Sequence, residues 1–379
     1  MDAITKLKVL SNFDEEEYYI MNKDTVLCSF IWNEVGDVSV DPQITSGIEN
    51  LPAFISKDLY SWLDSRTPPK HRAHMKELLD VIGCKSIKSI IDFSKGLSLT
   101  DTLWVKKSNS EIEWDKINLY DNEFDEVISK IAFNGGLYGH VISTTSPEFG
   151  TNGMLPKCWV RGSDGYIYLK KGGTEGARNA GFEPYSENLA SQLLDKLEYN
   201  HVNYSVEQFR GKLVSSCRLI TSKEVSMIPI YMLCDETSIF GIVRYYDSIG
   251  CKDEIIKMLI FDYLILNSDR HANNFAVLVN SDTFEPISMA PIYDNGVGVL
   301  NYYMLDGDIN DYVSNYIPAL YDSYEDVVKY YKNQLTSKHN VNKLVGFKFD
   351  RSQVKGYSGD KITFIENFIQ DRVQQFLVW

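Results

Sequence analysis

The sequence predicts an α+β protein in which a β-rich segment with one helix precedes a mainly helical segment. Three observations carry that expectation. Extended runs broken by turn residues lie at 158–171 and 201–220. Apolar residues recur at spacings of three and four in 186–197, 254–266 and 360–376, the mark of helices burying one face. Two more extended runs, Phe275 to Val279 and Pro286 to Tyr293, fall between the last two helices. With 379 residues, 44% of them hydrophobic, the chain can bury a large core and form two or three structural units.

Residues 1 to about 145 read as a separate N-terminal region. Leu27 to Val40 is β-like, while Leu59 to Trp62 and Ala73 to Ile82 are helix-like, the latter introduced by Pro68 and Pro69. The β-rich segment follows over 146–222, and the mainly helical one over 223–379.

Within 146–222, Cys158 to Val160 and Tyr166 to Lys171 flank Arg161-Gly162-Ser163-Asp164-Gly165, a turn-rich break expected in a β-hairpin. The second strand ends in Lys170-Lys171-Gly172-Gly173. Period-two alternation puts Lys171 on the face of Leu169 and Ile167, and Lys170 on the face of Tyr168 and Tyr166. Next, Ser186 to Leu197 places Leu189, Ala190, Leu193, Leu194 and Leu197 on one helical face, with Pro184 and Ser186 as start signals. Glu187 then projects from the inward face of the first turn, where a carboxylate is costly without a cation, and a strand lysine is the natural partner. Glu183 competes for that role, and any first-turn Glu also complements the helix dipole. A second hairpin is expected from His201 to Phe209 and Lys212 to Ile220, joined by Arg210-Gly211.

The chemistry is carried further on. Leu266 to Asn274 reads Leu-Asn-Ser-Asp-Arg-His-Ala-Asn-Asn and begins where the apolar helix from Glu254 stops. Asn280-Ser281-Asp282-Thr283 then turns the chain between the two extended runs, the second of which leads into Tyr293-Asp294-Asn295-Gly296. A hairpin of this length returns Asp294 to the side of Asn274. Phosphoryl transfer needs such a set. Asp269 can accept the proton of an attacking hydroxyl, while Asn274 and Asp294 can hold Mg2+ against nucleotide phosphates. Hard Mg2+ takes few protein oxygens and fills the rest of its shell with phosphate oxygens and water. An Asp-Arg-His tripeptide alone is most often a helix cap or a surface ion pair. The order helix, Asp, Asn five residues on, hairpin and second Asp sets this one apart. His271 has no second His or Cys at ligand spacing, so structural hydrogen bonding is expected of it.

These residues resemble the catalytic segment of the HipA-like kinases, bacterial serine/threonine kinases with a bilobal, protein-kinase-like fold related to phosphatidylinositol kinases. The family pattern N-x-D-x-H-x-x-N, followed beyond a hairpin by a metal-binding Asp in a Y/F-D context, is matched by Asn267, Asp269, His271, Asn274 and Asp294. The resemblance implies an ATP- and Mg2+-dependent kinase with a small lobe at 146–222 and a large lobe at 223–379. It implies Asp269 as catalytic base, Asn274 and Asp294 as metal ligands, and a Ser/Thr acceptor on a protein substrate. It favours Lys171 over Lys170 for the nucleotide phosphates, because Lys171 adjoins the glycine pair. The phosphate-covering loop would run from Phe149 to Lys157, similar to the family in Gly153 and Lys157. The chain emerging at Cys217-Arg218-Leu219 would be the hinge that binds the adenine edge through backbone groups, which places Cys217 and Leu219 in the ATP site.

One departure concerns regulation. The family's autophosphorylated serine lies three residues before the loop glycine, where this chain has Gly150. Thr151, Ser143, Thr144, Thr145 and Ser146 are the hydroxyls nearby. Leu97 to Trp104 resembles a segment N-terminal to the core in some such proteins of Gram-positive bacteria. In that family the kinase can be the toxin of a toxin-antitoxin pair held by a DNA-binding antitoxin, so an antitoxin-type protein partner is among the expectations. Two alternatives stay open: a lipid or small-molecule kinase, since phosphatidylinositol kinases share an Asp-Arg-His-x-x-Asn loop, and a nucleotide-sensing pseudokinase.

Net charge is −14, from 38 basic and 52 acidic residues, which excludes strong direct binding to nucleic acid through phosphate neutralisation. The acidic stretches Asp14 to Glu17 and Asp121 to Glu126 read as solvated faces. No apolar run approaches the roughly eighteen residues needed to span a bilayer, and Met1 to Lys6 lacks a signal-peptide core. The expectation is a soluble cytoplasmic protein without membrane contact. The cysteines at 28, 84, 158, 217, 234 and 251 are scattered, as expected of reduced, mostly buried thiols.

Overall fold

The computed structural model describes residues 16–69, 71–136, 146–176 and 180–379. They divide into two compact units. One comprises the chain up to Met154 together with Thr221–Glu224, and the other comprises Leu155–Ile220 together with Val225–Trp379. The division falls at Met154 rather than near residue 145, and the second unit holds both the β-rich and the helical segments.

In the first unit, strands β1 (Glu17–Asn22), β2 (Thr25–Ile31), β3 (Gln43–Ser46) and β4 (Leu103–Lys107) form an antiparallel sheet in the order β3-β2-β1-β4. The β-like run expected to Val40 breaks after Ile31. There the Trp32 indole N–H donates to the Val40 carbonyl at 2.8 Å, and Glu34–Val35 and Val38–Ser39 fold back as a short ladder. Helices α1 (Leu59–Ser65), α2 (Met75–Ile82), α3 (Ile87–Ser94) and α4 (Glu126–Asn134) follow. The last three bury Met75, Leu78, Ile90, Ile128 and Ile131 in one cluster with Phe149. Thr221–Glu224 belongs here because the Thr221 hydroxyl donates to the Leu99 carbonyl and Lys223 pairs with Asp121 at 3.0 Å.

In the second unit, β5 (Lys157–Arg161), β6 (Ile167–Gly172), β7 (Ser205–Phe209) and β8 (Lys212–Arg218) form an antiparallel sheet in the order β5-β6-β8-β7. Both expected hairpins are present. The β7–β8 turn places Arg210 at φ 47 and Gly211 at φ 81, the left-handed pair that a two-residue hairpin needs to match strand twist. Helix α5 (Glu183–Leu197) packs on β8. It starts three residues before the expected Ser186, with Pro184 in its first turn, so Glu187 sits in the second turn.

The rest of the unit is built around α7 (Lys252–Ile265), which packs against α6 (Ile239–Ser248), α8 (Tyr324–Tyr331) and α9 (Gly359–Val378). Strands β9 (Val225–Pro229), β10 (Ala276–Asn280) and β11 (Pro286–Met289) form a sheet with β10 at its centre. The β10–β11 turn is closed by Asn280 Oδ1, which accepts from the amides of Asp282 and Thr283. Neither β9 nor α6 was expected from the sequence. Among the described residues no helix is long and apolar enough to cross a membrane.

Candidate active site

The site in the second unit begins with a buried lysine. In β6, Ile167 and Lys171 face inward, as alternation predicts, and Lys171 is 7% exposed. Its Nζ donates to Glu187 Oε1 at 2.9 Å and also reaches Asp294 Oδ1. Residues from a strand, a helix and a loop 123 positions away are thus brought to one ammonium group. Burial works against the charge of Lys171, but Asp294 and Glu187 outweigh it, so its pKa is raised.

The two carboxylates divide unequally. Glu187 is fully buried, and burial lifts its pKa despite Lys171 and despite the Asn295 amide that donates to its Oε2 at 2.8 Å. Burial also opposes the charge of Asp294, but its side chain keeps 35% exposure, and Lys171 and then Lys157 hold its carboxyl well below the usual range. Asp294 is therefore the ionised oxygen donor of the pair. Lys157 lies opposite Lys171 across the β5–β6 ladder, which puts both cations on one face of the sheet.

Lys170 turns to the other face. It is engaged there: it pairs with Glu207, donates to the Ser216 hydroxyl at 2.9 Å and lies over the Tyr168 and Phe209 rings. Glu183, the competitor of Glu187, accepts from Thr174 and from the Tyr302 hydroxyl instead. At Gly173 an added Cβ would fall 2.7 Å from Gly181 Cα and 2.8 Å from Glu183 Oε2, so only glycine admits that approach.

The loop after α7 is built on a second buried network. Leu266 at φ 54 ends the helix. Asn267 then donates to Asp262 Oδ1 at 3.2 Å and accepts the Asp269 amide at 3.3 Å. Arg270, 1% exposed, forks onto Asp262 at 3.0 Å, donates to the carbonyls of Asn274 at 2.8 Å and Tyr293 at 2.6 Å, and reaches Asn295 Oδ1 at 2.6 Å. Burial opposes its charge, and the Asp262 carboxylate more than offsets this, so its pKa is raised. One guanidinium thereby ties the Asp269–Asn274 loop to the Tyr293–Asn295 segment. Sequence reasoning passed over both members of this pair. The signal was Asp262, an acid inside the apolar run 258–265, which demands a buried cation.

Asn274 Nδ2 donates to the Asp269 carbonyl at 2.8 Å, which leaves its Oδ1 as an acceptor. The Asp269 side chain is half exposed, and partial burial followed by the neighbouring Asp294 raises its pKa, with His271 opposing. His271 Nδ1 accepts the Asn273 amide at 3.2 Å, a structural role. The oxygens of Asp294 and Asn274 are hard donors of the kind Mg2+ takes, and Lys171 keeps Asp294 ionised, so the chemistry of the two donors fits such a cation.

The Tyr204 hydroxyl accepts the Asp294 amide at 3.4 Å, and Val202, Tyr204 and buried Cys217 pack with Leu169, Ile220 and Tyr293. The Cys217 thiol is pushed up to about 12, chiefly by burial. The backbone departs from expectation here. Cys217 is paired with Leu169, and the Leu219 amide donates to the Ile167 carbonyl at 2.8 Å, so both residues turn their amides toward β6. Pairing of β8 with β7 ends at Ser216, and alternation points the backbone groups of Arg218 and Ile220 to that other side.

Gly153 belongs to the first unit and Lys157 to the second. Gly150 is packed so closely that a Cβ would lie 2.6 Å from the Leu97 carbonyl oxygen, which is why no serine stands there. Ser146 is buried, and the Thr151 hydroxyl donates to the Pro147 carbonyl at 2.6 Å. Ser143, Thr144 and Thr145 lie outside the described residues.

No family model matches the chain, and no curated protein matches it. Solved structures do. HipA in the Shewanella oneidensis MR-1 toxin-antitoxin complex of HipA, HipB and operator DNA matches with a TM-score of 0.50 at 10% identity, over 96% of this chain and 98% of that one. The Helicobacter pylori proinflammatory kinase CtkA matches with a TM-score of 0.43 at 16% identity, over 57% of this chain and 90% of that one. The chain has a mixed α/β fold similar to that of HipA. At 10% identity the likeness speaks for the fold, and the chemistry has to come from the residues of this site.

Proposed function

We propose that this chain is an ATP- and Mg2+-dependent serine/threonine protein kinase of HipA-like type. The observation that carries the reading is Lys171 held between Glu187 and Asp294. A buried ammonium beside an ionised carboxylate is the arrangement that receives nucleotide phosphates. Lys171 contacts the phosphates, with Glu187 fixing its direction and Lys157 adding a second charge on the same face. Asn274 and Asp294 hold Mg2+, which neutralises charge on the phosphates when bound. Asp269, half exposed at the front of the loop, takes the proton of the acceptor hydroxyl. Arg218 and Ile220 present backbone groups to the adenine edge beside Cys217. Leu155–Ile220 serve as the small lobe and Val225–Trp379 as the large lobe, with the first unit as an accessory region in a cytoplasmic protein. Because HipA occurs with HipB and operator DNA, we place an antitoxin-type protein among the partners of this chain.

Incubation with γ-labelled ATP and a bacterial lysate, with and without a lipid extract, tests the reading. Mg2+-dependent label on serine or threonine of protein is expected, and it should vanish in Asp269→Asn. Label confined to lipid would overturn the protein-kinase reading in favour of a lipid kinase. Tight Mg-ATP binding without transfer to any acceptor would identify a nucleotide-sensing pseudokinase.

A further inference from the structure

A cavity of about 520 Å3 lies in the second unit and shares no residue with the Lys171–Glu187–Asp294 cluster. Its size is that of a small-molecule site. Two residues of its lining carry a buried donor without a partner among the described residues. Asn301 is 1% exposed; its Oδ1 accepts the Ser186 hydroxyl at 3.1 Å, and its Nδ2 has no partner among the described residues. The Tyr357 hydroxyl is likewise buried without a partner. The third donor is Lys361, whose Nζ meets the Tyr303 carbonyl and ring rather than a carboxylate. Burial lowers the pKa of Lys361 to about 8.

A buried ammonium with a neutral acceptor and two idle donors is costly, and an anionic ligand is the kind of partner such donors lack. The same wall holds the start of α9, capped by Ser358, whose amide end favours negative charge. Apolar surface in the lining comes from Phe182 and the Tyr357 ring, 5.6 Å apart between centroids, and from Met304 and Leu305, which are 44% and 46% exposed. Asp306 stands exposed at the rim, so the negative end of a ligand belongs at the buried side, and a singly charged group fits better than a dianion.

We propose that this cavity binds a compact monocarboxylate with an aromatic or branched apolar body, its oxygens taken by Lys361 Nζ, Asn301 Nδ2 and Tyr357 Oη. Calorimetric titration of the full chain without nucleotide tests this, with phenylacetate as probe and phenylacetamide and inorganic phosphate as comparators. The test is independent of the kinase reading, since no transfer is measured. Phenylacetate should bind with Kd on the order of 0.1–1 mM, and the amide and phosphate should each bind at least about tenfold more weakly. Lys361→Met and Asn301→Asp, which keep side-chain shape, should each cost phenylacetate about tenfold or more. In the unsubstituted protein, phenylacetate should slow acylation of Lys361 read by mass spectrometry, which covers the case of a variant that does not fold. Absence of phenylacetate binding at about 10 mM, equal binding of the amide, or affinity unchanged in both variants would overturn the proposal.

Discussion

Replacing Lys171 by Met isolates the cost of the buried cluster. Methionine is close to lysine in length and fills the same space between β6 and α5, so the loss is electrostatic. Glu187 would be left at zero exposure with only the Asn295 amide, and Asp294 would lose its nearest cation. Breaking a buried ion pair from one side costs about 3–5 kcal/mol. The Asn295 bond and the proton that Glu187 can take up reduce this to roughly 3 kcal/mol near neutral pH. For a unit of this size that is a fall in melting temperature of roughly 6–12 °C.

The pH dependence has a definite sign. Burial already holds the Glu187 pKa above its unfolded value, and losing Lys171 raises it further. A group with a raised folded pKa is least costly when protonated in both states. The deficit should therefore be small below the ordinary glutamate range and grow as pH rises through it toward the raised value. Differential scanning calorimetry at about pH 4.5 and 7.5 reads this directly. Lys171→Met with Glu187→Gln should recover most of the lost stability, because the glutamine still accepts from Asn295, yet it should not recover phosphotransfer. A Lys171→Met protein melting within about 1 °C of wild type at neutral pH, or one rescued in activity by Glu187→Gln, would refute the reasoning.

Three further outcomes are expected. Asp269→Asn should lower phosphotransfer by roughly 10²–10⁴-fold with little change in Mg-ATP affinity, and the acid limb of the wild-type rate profile should lie above the ordinary aspartate pKa, since Asp269 is shifted upward. Calorimetry on Asp294→Asn and Asn274→Ala should show weakened Mg2+-dependent nucleotide binding by about tenfold or more, so unchanged affinity in both would contradict their role. Arg270→Lys cannot reproduce a fork onto Asp262 together with two carbonyls, so it should lose about 2–4 kcal/mol of stability and much of the activity although Asp269 itself is unchanged. A variant with wild-type melting and turnover would show that the guanidinium does not hold the loop.

The sequence alone determined features that depend on near neighbours. Period-two alternation in β6 separated Lys171 from Lys170 because successive strand side chains must point to opposite faces. The apolar residues after Glu254, the turn at Asn280 and the spacing of Asp269, Asn274 and Asp294 made α7, the β10–β11 hairpin and the loop legible for the same reason, although α7 is buried on every side over 258–265 rather than along the one face that the spacing suggested. Tertiary structure decided which distant groups complete each face. Alternation could not pair Lys170 with Glu207, nor choose Glu187 over Glu183, since that required helix α5 to begin at Glu183 and settle on β8. Nor could local pattern show that Arg270 is buried among acceptors on four residues, Asp262, Asn274, Tyr293 and Asn295, or that Leu219 spends its amide on Ile167. The physical reason is that periodicity fixes the direction of a side chain relative to its own backbone. The charge or carbonyl it meets is set by packing over long separations, and a buried polar group must find that partner or raise the free energy of the fold.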